Sequence, residues 1–421
     1  MNRRHFLIAG GGAVSVGRIR MAIAEDMAAH VLSATAITQV FGTGQRLTAV
    51  AIAYDRPVAN ASVAAGDFAV DGRTVMRAYA RPSPEPAPDG ADGAFVIVEL
   101  DPGDRGAATY AALKGGATLT AAQATVTQTA PLRAADGHEI APGGPVETAG
   151  ATDPLVDAFE QRSYTHPPTG ITLPYNLFIP RDYDPGRSYP LVNFMHDAGV
   201  SSDNPLMTLC QGLGAVVWVR PEEQAVRPCF VLAPQFADQV VNDESDDSPY
   251  ADVMVDLVLS LAGEFSLDRT RLYTTGQSGG GMLSIAIGIR YPGFFAASYL
   301  VACQWAAGKC GPLATQKMWV LVSEGDVKAF PGQNAIMQVL RGEGAEIATA
   351  RWDARDTTGE LSAQADSLAA EGAPILYATF KPGTVILPGQ EDGPGPNHFN
   401  TWRVAYEIAG IREWLFRQSG A

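Results

Sequence analysis

Between residue 30 and about residue 135, apolar and polar side chains alternate in short runs, among them Arg46–Tyr54, Ala94–Leu100 and Thr118–Thr127. Successive side chains of a strand point to opposite faces, so a period of two marks half-buried strands. Turn-rich stretches such as Arg81-Pro82-Ser83-Pro84-Glu85-Pro86 separate them. The pattern predicts an antiparallel β-sandwich of about 100 residues, placed at residues 25–135. It holds no nucleophile–base pair, so no chemistry is assigned to it. Its expected role is interaction: gating a substrate, binding a polymer, or joining copies of the chain into a homo-oligomer. The alternative is a plain packing partner for the rest of the chain.

Residues 136–160 are rich in Ala, Asp, Gly and Pro and read as a linker. From Tyr164 onward, within residues 161–421, strand-like runs alternate with helical stripes, the mark of a mostly parallel sheet covered on both faces by helices. Tyr189–Met195, Phe230–Gln235, Arg271–Thr275 and Lys317–Ser323 are the clearest strands. Met254, Leu257, Val258 and Leu261 form one helical stripe, with Ser248 as cap and Pro249 as first residue. Val404, Ile408, Ile411 and Leu415 form another, in one terminal helix. There is no internal repeat and no phosphate-binding G-x-x-x-x-G-K-[ST] loop.

The amino terminus reads as an address. Arg3-Arg4-His5-Phe6-Leu7 resembles a twin-arginine export signal, Phe6–Gly17 is a short apolar stretch, and Ala22-Ile23-Ala24 supplies a cleavage site. The stretch is shorter than the roughly 20 residues a bilayer span needs, and no later segment is a better candidate. Removing residues 1–24 takes away four arginines and no acids, moving the formal charge from −15 to −19. That balance argues against nucleic acid or an anionic membrane as partner. The acidic run Asp243–Asp247 lacks the spacing of a calcium loop and reads as solvated.

An exported chain meets oxidising conditions, so the four cysteines are expected to pair as Cys210–Cys229 and Cys303–Cys310. A twin-arginine passenger folds before export, which leaves free buried thiols as the alternative. No zinc-ligand spacing is present.

The densest chemistry lies at Gly276-Gln277-Ser278-Gly279-Gly280, a G-x-S-x-G with a strand before it and an apolar helical run, Met282–Ile287, after it. A strand turning sharply into a helix lifts the serine Oγ above the sheet edge, and the flanking glycines allow the crowded backbone. In this arrangement acid and histidine follow the serine along the chain. Of six histidines only His398 lies beyond Ser278, so elimination selects it, in what reads as a Gly/Pro-rich loop before the terminal helix. The acid should follow a strand between them. Asp326, after Lys317–Ser323, is the first choice, Glu324 the second and Asp353 the third. An oxyanion would be held by the Gly279 N–H and by an N–H of the loop at Asp197 or Ala198, after Tyr189–Met195. His196 is expected to pack beneath that loop. Trp305 lines the substrate pocket or is a core aromatic.

The segments Phe230–Gln235, Thr274–Met282, Tyr291–Ser298 and His398–Tyr406 resemble α/β-hydrolase carboxylesterases that carry an N-terminal immunoglobulin-like domain, a group close to predicted peptidases and to feruloyl-esterase and polyhydroxybutyrate-depolymerase-like hydrolases. The resemblance spans roughly residues 30–418. It implies an α/β-hydrolase fold after an immunoglobulin-like sandwich, with triad roles for Ser278, Asp326 and His398. It also implies a secreted serine carboxylesterase acting on small-molecule or polymer-linked esters, without metal or organic cofactor. The chain departs from the pattern at Asp197, where glycine is usual, and at Gly279, where many relatives carry methionine; the second change bears on acyl-pocket shape. A serine peptidase is the second reading and a catalytically silent secreted binding protein the third.

Overall fold

The computed structural model describes residues 30–113 and 115–420; the expected export signal at 1–24 lies outside them. The first unit is all β. Its strands lie side by side in the order Phe68–Val70, Thr125–Gln128, Val146–Thr152, Val31–Phe41, Gly44–Val58, Gly93–Leu100 and Val75–Arg81. Alternation along Gly44–Val58 explains the packing. Val50, Ile52 and Tyr54 point into the main core with Phe68, Val96, Val98 and Val126, while Ala49 and Ala51 meet Ile37, Tyr79 and Ile97 on the opposite face.

The segment 136–160 is not a linker. It contains Glu139–Ile140, paired with Leu132–Arg133, and the strand Val146–Thr152. That strand pairs antiparallel with Thr125–Gln128 through Val146 and Glu147, then parallel with Val31–Phe41 through Thr148, Ala151 and Thr152. The strand therefore joins the two halves of the sandwich. Its sequence hid it because small and polar residues face solvent along most of its length. Only Asp153–Phe159 connects to the second unit, and this connection is packed. Asp153 accepts hydrogen bonds from Gln45 Nε2 at 2.9 Å and Thr38 Oγ1 at 3.2 Å, and Val156 and Phe159 are buried beside Val40 and Trp218.

The second unit is built on nine strands: Glu160–Thr165, Thr172–Phe178, Phe230–Pro234, Tyr189–Met195, Leu267–Gln277, Ala297–Val301, Met318–Ser323, Ile375–Phe380 and Ile347–Trp352, in spatial order. The first two run antiparallel to their neighbours and the rest are parallel. This is the α/β-hydrolase fold. Strands buried on both faces divide their side chains between two cores. Leu191, Met195 and Leu272 join Met254, Ile285 and Ile336 on one side. Val192, Phe194 and Tyr273 join Leu361, Val404 and Ile411 on the other.

The first helical stripe lies in Tyr250–Glu264 with all four expected residues buried. Pro249 is the residue before the helix rather than its first member, and Ser248 Oγ accepts the Tyr250 N–H at 3.3 Å. The expected terminal helix is two, Pro394–Ala405 and Ala409–Phe416, broken at Ile408 where ψ is 100°. The stripe survives the break because Val404, Ile408, Ile411 and Leu415 are all buried against the sheet.

Candidate active site

Ser278 sits between Leu267–Gln277 and the helix Gly279–Arg290 with φ 48° and ψ −117°. A non-glycine residue with positive φ is strained, and here the surroundings impose it. A Cβ on Gly280 would lie 1.9 Å from the Met195 carbonyl oxygen, and one on Gly276 would lie 2.4 Å from the Gly280 backbone. The two chains can approach only where side chains are missing. The Ser278 N–H donates to Val301 O at 2.9 Å, which ties the elbow to the next strand.

His398 Nε2 lies 3.0 Å from Ser278 Oγ, and its Nδ1 lies 2.5 Å from Asp326 Oδ2. The three residues named from the sequence therefore meet across 120 positions of chain. His398 is not on a loop, however: it lies in the second turn of the helix Pro394–Ala405. Pro394 and Pro396 suggested a loop, yet proline is tolerated in the first turn, where N–H groups have no helical partner. The imidazole packs edge-on to Phe399 and Trp402.

Asp326 follows Met318–Ser323 and is 3% exposed. Its Oδ1 accepts the N–H groups of Lys328 at 3.0 Å and Ala329 at 2.9 Å. Burial pushes its carboxyl up, but the His398 hydrogen bond and charge and those two N–H groups outweigh burial and hold it below the usual range. The other two candidate acids are engaged elsewhere. Glu324 pairs with Arg351 at 2.7 Å and accepts from Thr379 Oγ1, and Asp353 pairs with Arg355 at 2.8 Å.

Beside Ser278 opens a cavity of about 300 Å³. Gly279, Val241 and Met282 give it an apolar wall, and Gln239, Asp243, Gln304 and Lys328 a polar one. Asp243 is held in place by Gln304 Nε2 at 3.0 Å and Lys328 Nζ at 2.5 Å. Ala198 lines the cavity and Asp197 does not. A Cβ on Gly279 would lie 3.2 Å from the Ala198 nitrogen, so the two N–H groups are close neighbours, each in the first turn of its own helical segment.

His196 packs under this loop. Its Nε2 accepts the Phe236 N–H at 2.9 Å, so Nδ1 carries the proton and donates to Asp197 O at 2.7 Å. Burial lowers its basicity and keeps it neutral. Trp305 does not line the catalytic cavity. It is 6% exposed and borders a different one with Ser248, Ala251 and Lys309, while its neighbour Gln304 lines the cavity beside Ser278. The expected disulfides are absent: Cys210, Cys229, Cys303 and Cys310 are free and buried. Nearness in sequence did not produce a bond: Cys210 and Cys229 share one buried core and Cys303 and Cys310 the other, each as a free thiol. Cys229 takes a hydrogen bond from Gln224, and Cys303 lies against Gly281.

Sequence reasoning missed Asn397. It is 2% exposed, its Oδ1 accepts Ser323 Oγ at 2.9 Å, and its Nδ2 donates to Asp392 and to Gly393 O. Position next to the base was the available signal.

Residues 33–141 match the family described as the esterase Ig-like N-terminal domain. The first unit is an immunoglobulin-like domain. Over 92% of this chain and 100% of the other, the structure is similar to a thermostable esterase, with 26% identity and a TM-score of 0.79. The feruloyl esterase module of Clostridium thermocellum, solved with sinapinate, shares 11% identity over 59% of this chain and 87% of its own, with a TM-score of 0.41. A ferulic acid esterase from Anaeromyces mucronatus shares 12% identity over 60% and 91%, with a TM-score of 0.37. No curated protein sequence matches the chain. The immunoglobulin-like domain is not remote from the cavity. Its hairpin, Tyr110–Leu113 and Gly116–Leu119, packs on the turn Ala198–Val200. No helix among the described residues is long and apolar enough to cross a membrane.

Proposed function

We propose that this protein is an exported serine carboxylesterase that hydrolyses carboxylic esters through an acyl-enzyme. One observation carries the reading: a serine on a strained elbow lies 3.0 Å from an imidazole whose far nitrogen reaches a buried carboxylate. His398 Nε2 takes the proton as Ser278 Oγ attacks the ester carbonyl carbon. Nδ1–H stays on the imidazole and donates to Asp326, which fixes the tautomer and stabilises the imidazolium. The carbonyl oxygen, now negative, is held by the N–H groups of Gly279 and Ala198, the first of these at the positive end of a twelve-residue helix. His398 returns its proton to the leaving alkoxide, releasing the alcohol. Water then attacks the acyl-enzyme with His398 as base, and Ser278 is regenerated with the carboxylic acid product.

The cavity of about 300 Å³ is at the low end of ordinary ligand sites, which favours short-acyl or aryl esters. The similarity to a thermostable esterase supports ester rather than amide cleavage.

The test is turnover of short-chain p-nitrophenyl esters together with fluorophosphonate labelling. Wild-type protein should turn over the ester and take one label, and Ser278→Ala should lose both. Turnover that persists in Ser278→Ala, or cleavage of aminoacyl amides alone, would refute the proposal. A panel spanning acyl length, feruloyl esters, acetylated sugars and polyester films then ranks substrates.

A further inference from the structure

Asp197 stands at the start of the turn Ala198–Val200, and its Oδ1 accepts the Gly199 N–H at 2.8 Å. Its other oxygen, Oδ2, accepts Gln277 Nε2 at 3.0 Å. Gln277 is the residue immediately before Ser278, is 1% exposed, and also donates from Nε2 to Gln211 Oε1 at 2.9 Å. One carboxylate thus grips both the loop that carries the Ala198 N–H and the residue next to the nucleophile. The strands beneath the two are already in register, Met195 opposite Gly276, so the carboxylate extends their pairing past the end of the sheet.

The immunoglobulin-like domain closes on the same point. Tyr110 belongs to the hairpin that packs on Ala198–Val200. Its ring is seated on Gly44, where a Cβ would fall 2.3 Å from a ring carbon. Burial first, and then the Asp197 charge, push its phenol above the ordinary tyrosine range.

We propose that Asp197 is a positioning residue that fixes the Ala198 N–H relative to Ser278 Oγ, and that the hairpin carrying Tyr110 braces the turn Ala198–Val200 from the other side, so the immunoglobulin-like domain acts on the chemical step. This rests on the serine-hydrolase reading. The charge of Asp197 cannot itself favour a nearby oxyanion, since like charges repel. Its contribution has to come through geometry. Donors to an oxyanion must stand about 2.7–3.1 Å from it, and charge-assisted hydrogen bonds hold a loop more firmly than neutral ones.

The experiment compares wild type, Asp197→Asn, the double variant Asp197→Asn/Gln277→Glu, and Tyr110→Ala. It reads kcat and KM on p-nitrophenyl acetate, fluorophosphonate labelling and thermal stability. In Asp197→Asn the new amide faces the Gln277 amide, donor to donor, and kcat should fall by about 10²-fold, the scale of a displacement near 1 Å, with little change in KM. The double variant restores a donor–acceptor pair with the polarity reversed and should recover much of kcat. Tyr110→Ala should lower kcat in the same sense, and decides the matter if Asp197→Asn does not fold. Wild-type kcat in both single variants, a rise in kcat on removing the charge, or a melting shift with unchanged kcat each overturns the inference. Wild-type protein that neither turns over the ester nor takes the label would instead overturn the hydrolase reading beneath it.

Discussion

Asn397 Oδ1 accepts a hydrogen bond from Ser323 Oγ at 2.9 Å, joining the helix that carries His398 to the strand that leads into Asp326. Gly325 leaves the space for it, since a Cβ there would lie 2.3 Å from Asn397. The proposed base and its acid are therefore linked by a neighbour whose side chain makes no hydrogen bond to Ser278. Asn397→Ala leaves the buried Ser323 hydroxyl without its acceptor and Asp392 without its donor, a cost of about 1–3 kcal/mol. It should lower both the melting temperature and kcat. Unchanged kcat in a folded Asn397→Ala protein would remove Asn397 from the catalytic support.

Asp326 predicts a pH dependence of stability with a definite sign. Its folded pKa lies below the 3.8 of the unfolded chain, so its contribution is fully present above that value. The contribution disappears as pH falls through the folded value. Denaturant unfolding of wild type and Asp326→Asn should therefore show a gap near neutrality that narrows steadily below pH 3.8. A gap independent of pH would contradict the assignment.

The cysteines should be silent until the protein unfolds. Burial pushes Cys210, Cys229 and Cys310 up to about 12, and Cys303 higher still, so almost no thiolate exists at neutral pH. A thiol-disulfide indicator should find no reactive thiol in native protein and four in guanidinium, with or without prior reduction. A melting temperature that drops on adding reductant would point to a disulfide after all.

Gly280→Ala tests the elbow. The added methyl would meet the Met195 carbonyl at 1.9 Å, and backbone there cannot move without shifting the central strands. Destabilisation of about 3 kcal/mol is expected, with loss of turnover. Wild-type melting in this variant would mean that the strand and helix are not packed so closely.

The residues of the proposed triad were readable because each carried a local signature. Ser278 had a strand before it and a helix after it, His398 was the only histidine downstream, and Asp326 followed a hydrophobic strand. Trp305 had no such signature. Its neighbour Gln304 lines the cavity while Trp305 borders another, and which of two adjacent residues faces inward beyond a strand end is not carried by one-dimensional pattern. The strand Val146–Thr152 was missed because its pairing, not its composition, makes it a strand: it finds partners more than 100 residues away in Val31–Phe41.

By itself, then, the sequence determined two units of different kinds, a serine at a strand-to-helix turn, and the one histidine downstream that could serve it. These follow from periodicity, from glycine placement and from the order of residues along the chain, which are properties of the sequence alone. Only the tertiary structure decided that the thiols stay apart, that Ala198 rather than Asp197 faces the cavity, and that the Asp197 carboxylate turns back to Gln277. Those outcomes depend on distances between segments far apart in sequence, and such distances are set by how two cores and a hairpin pack together.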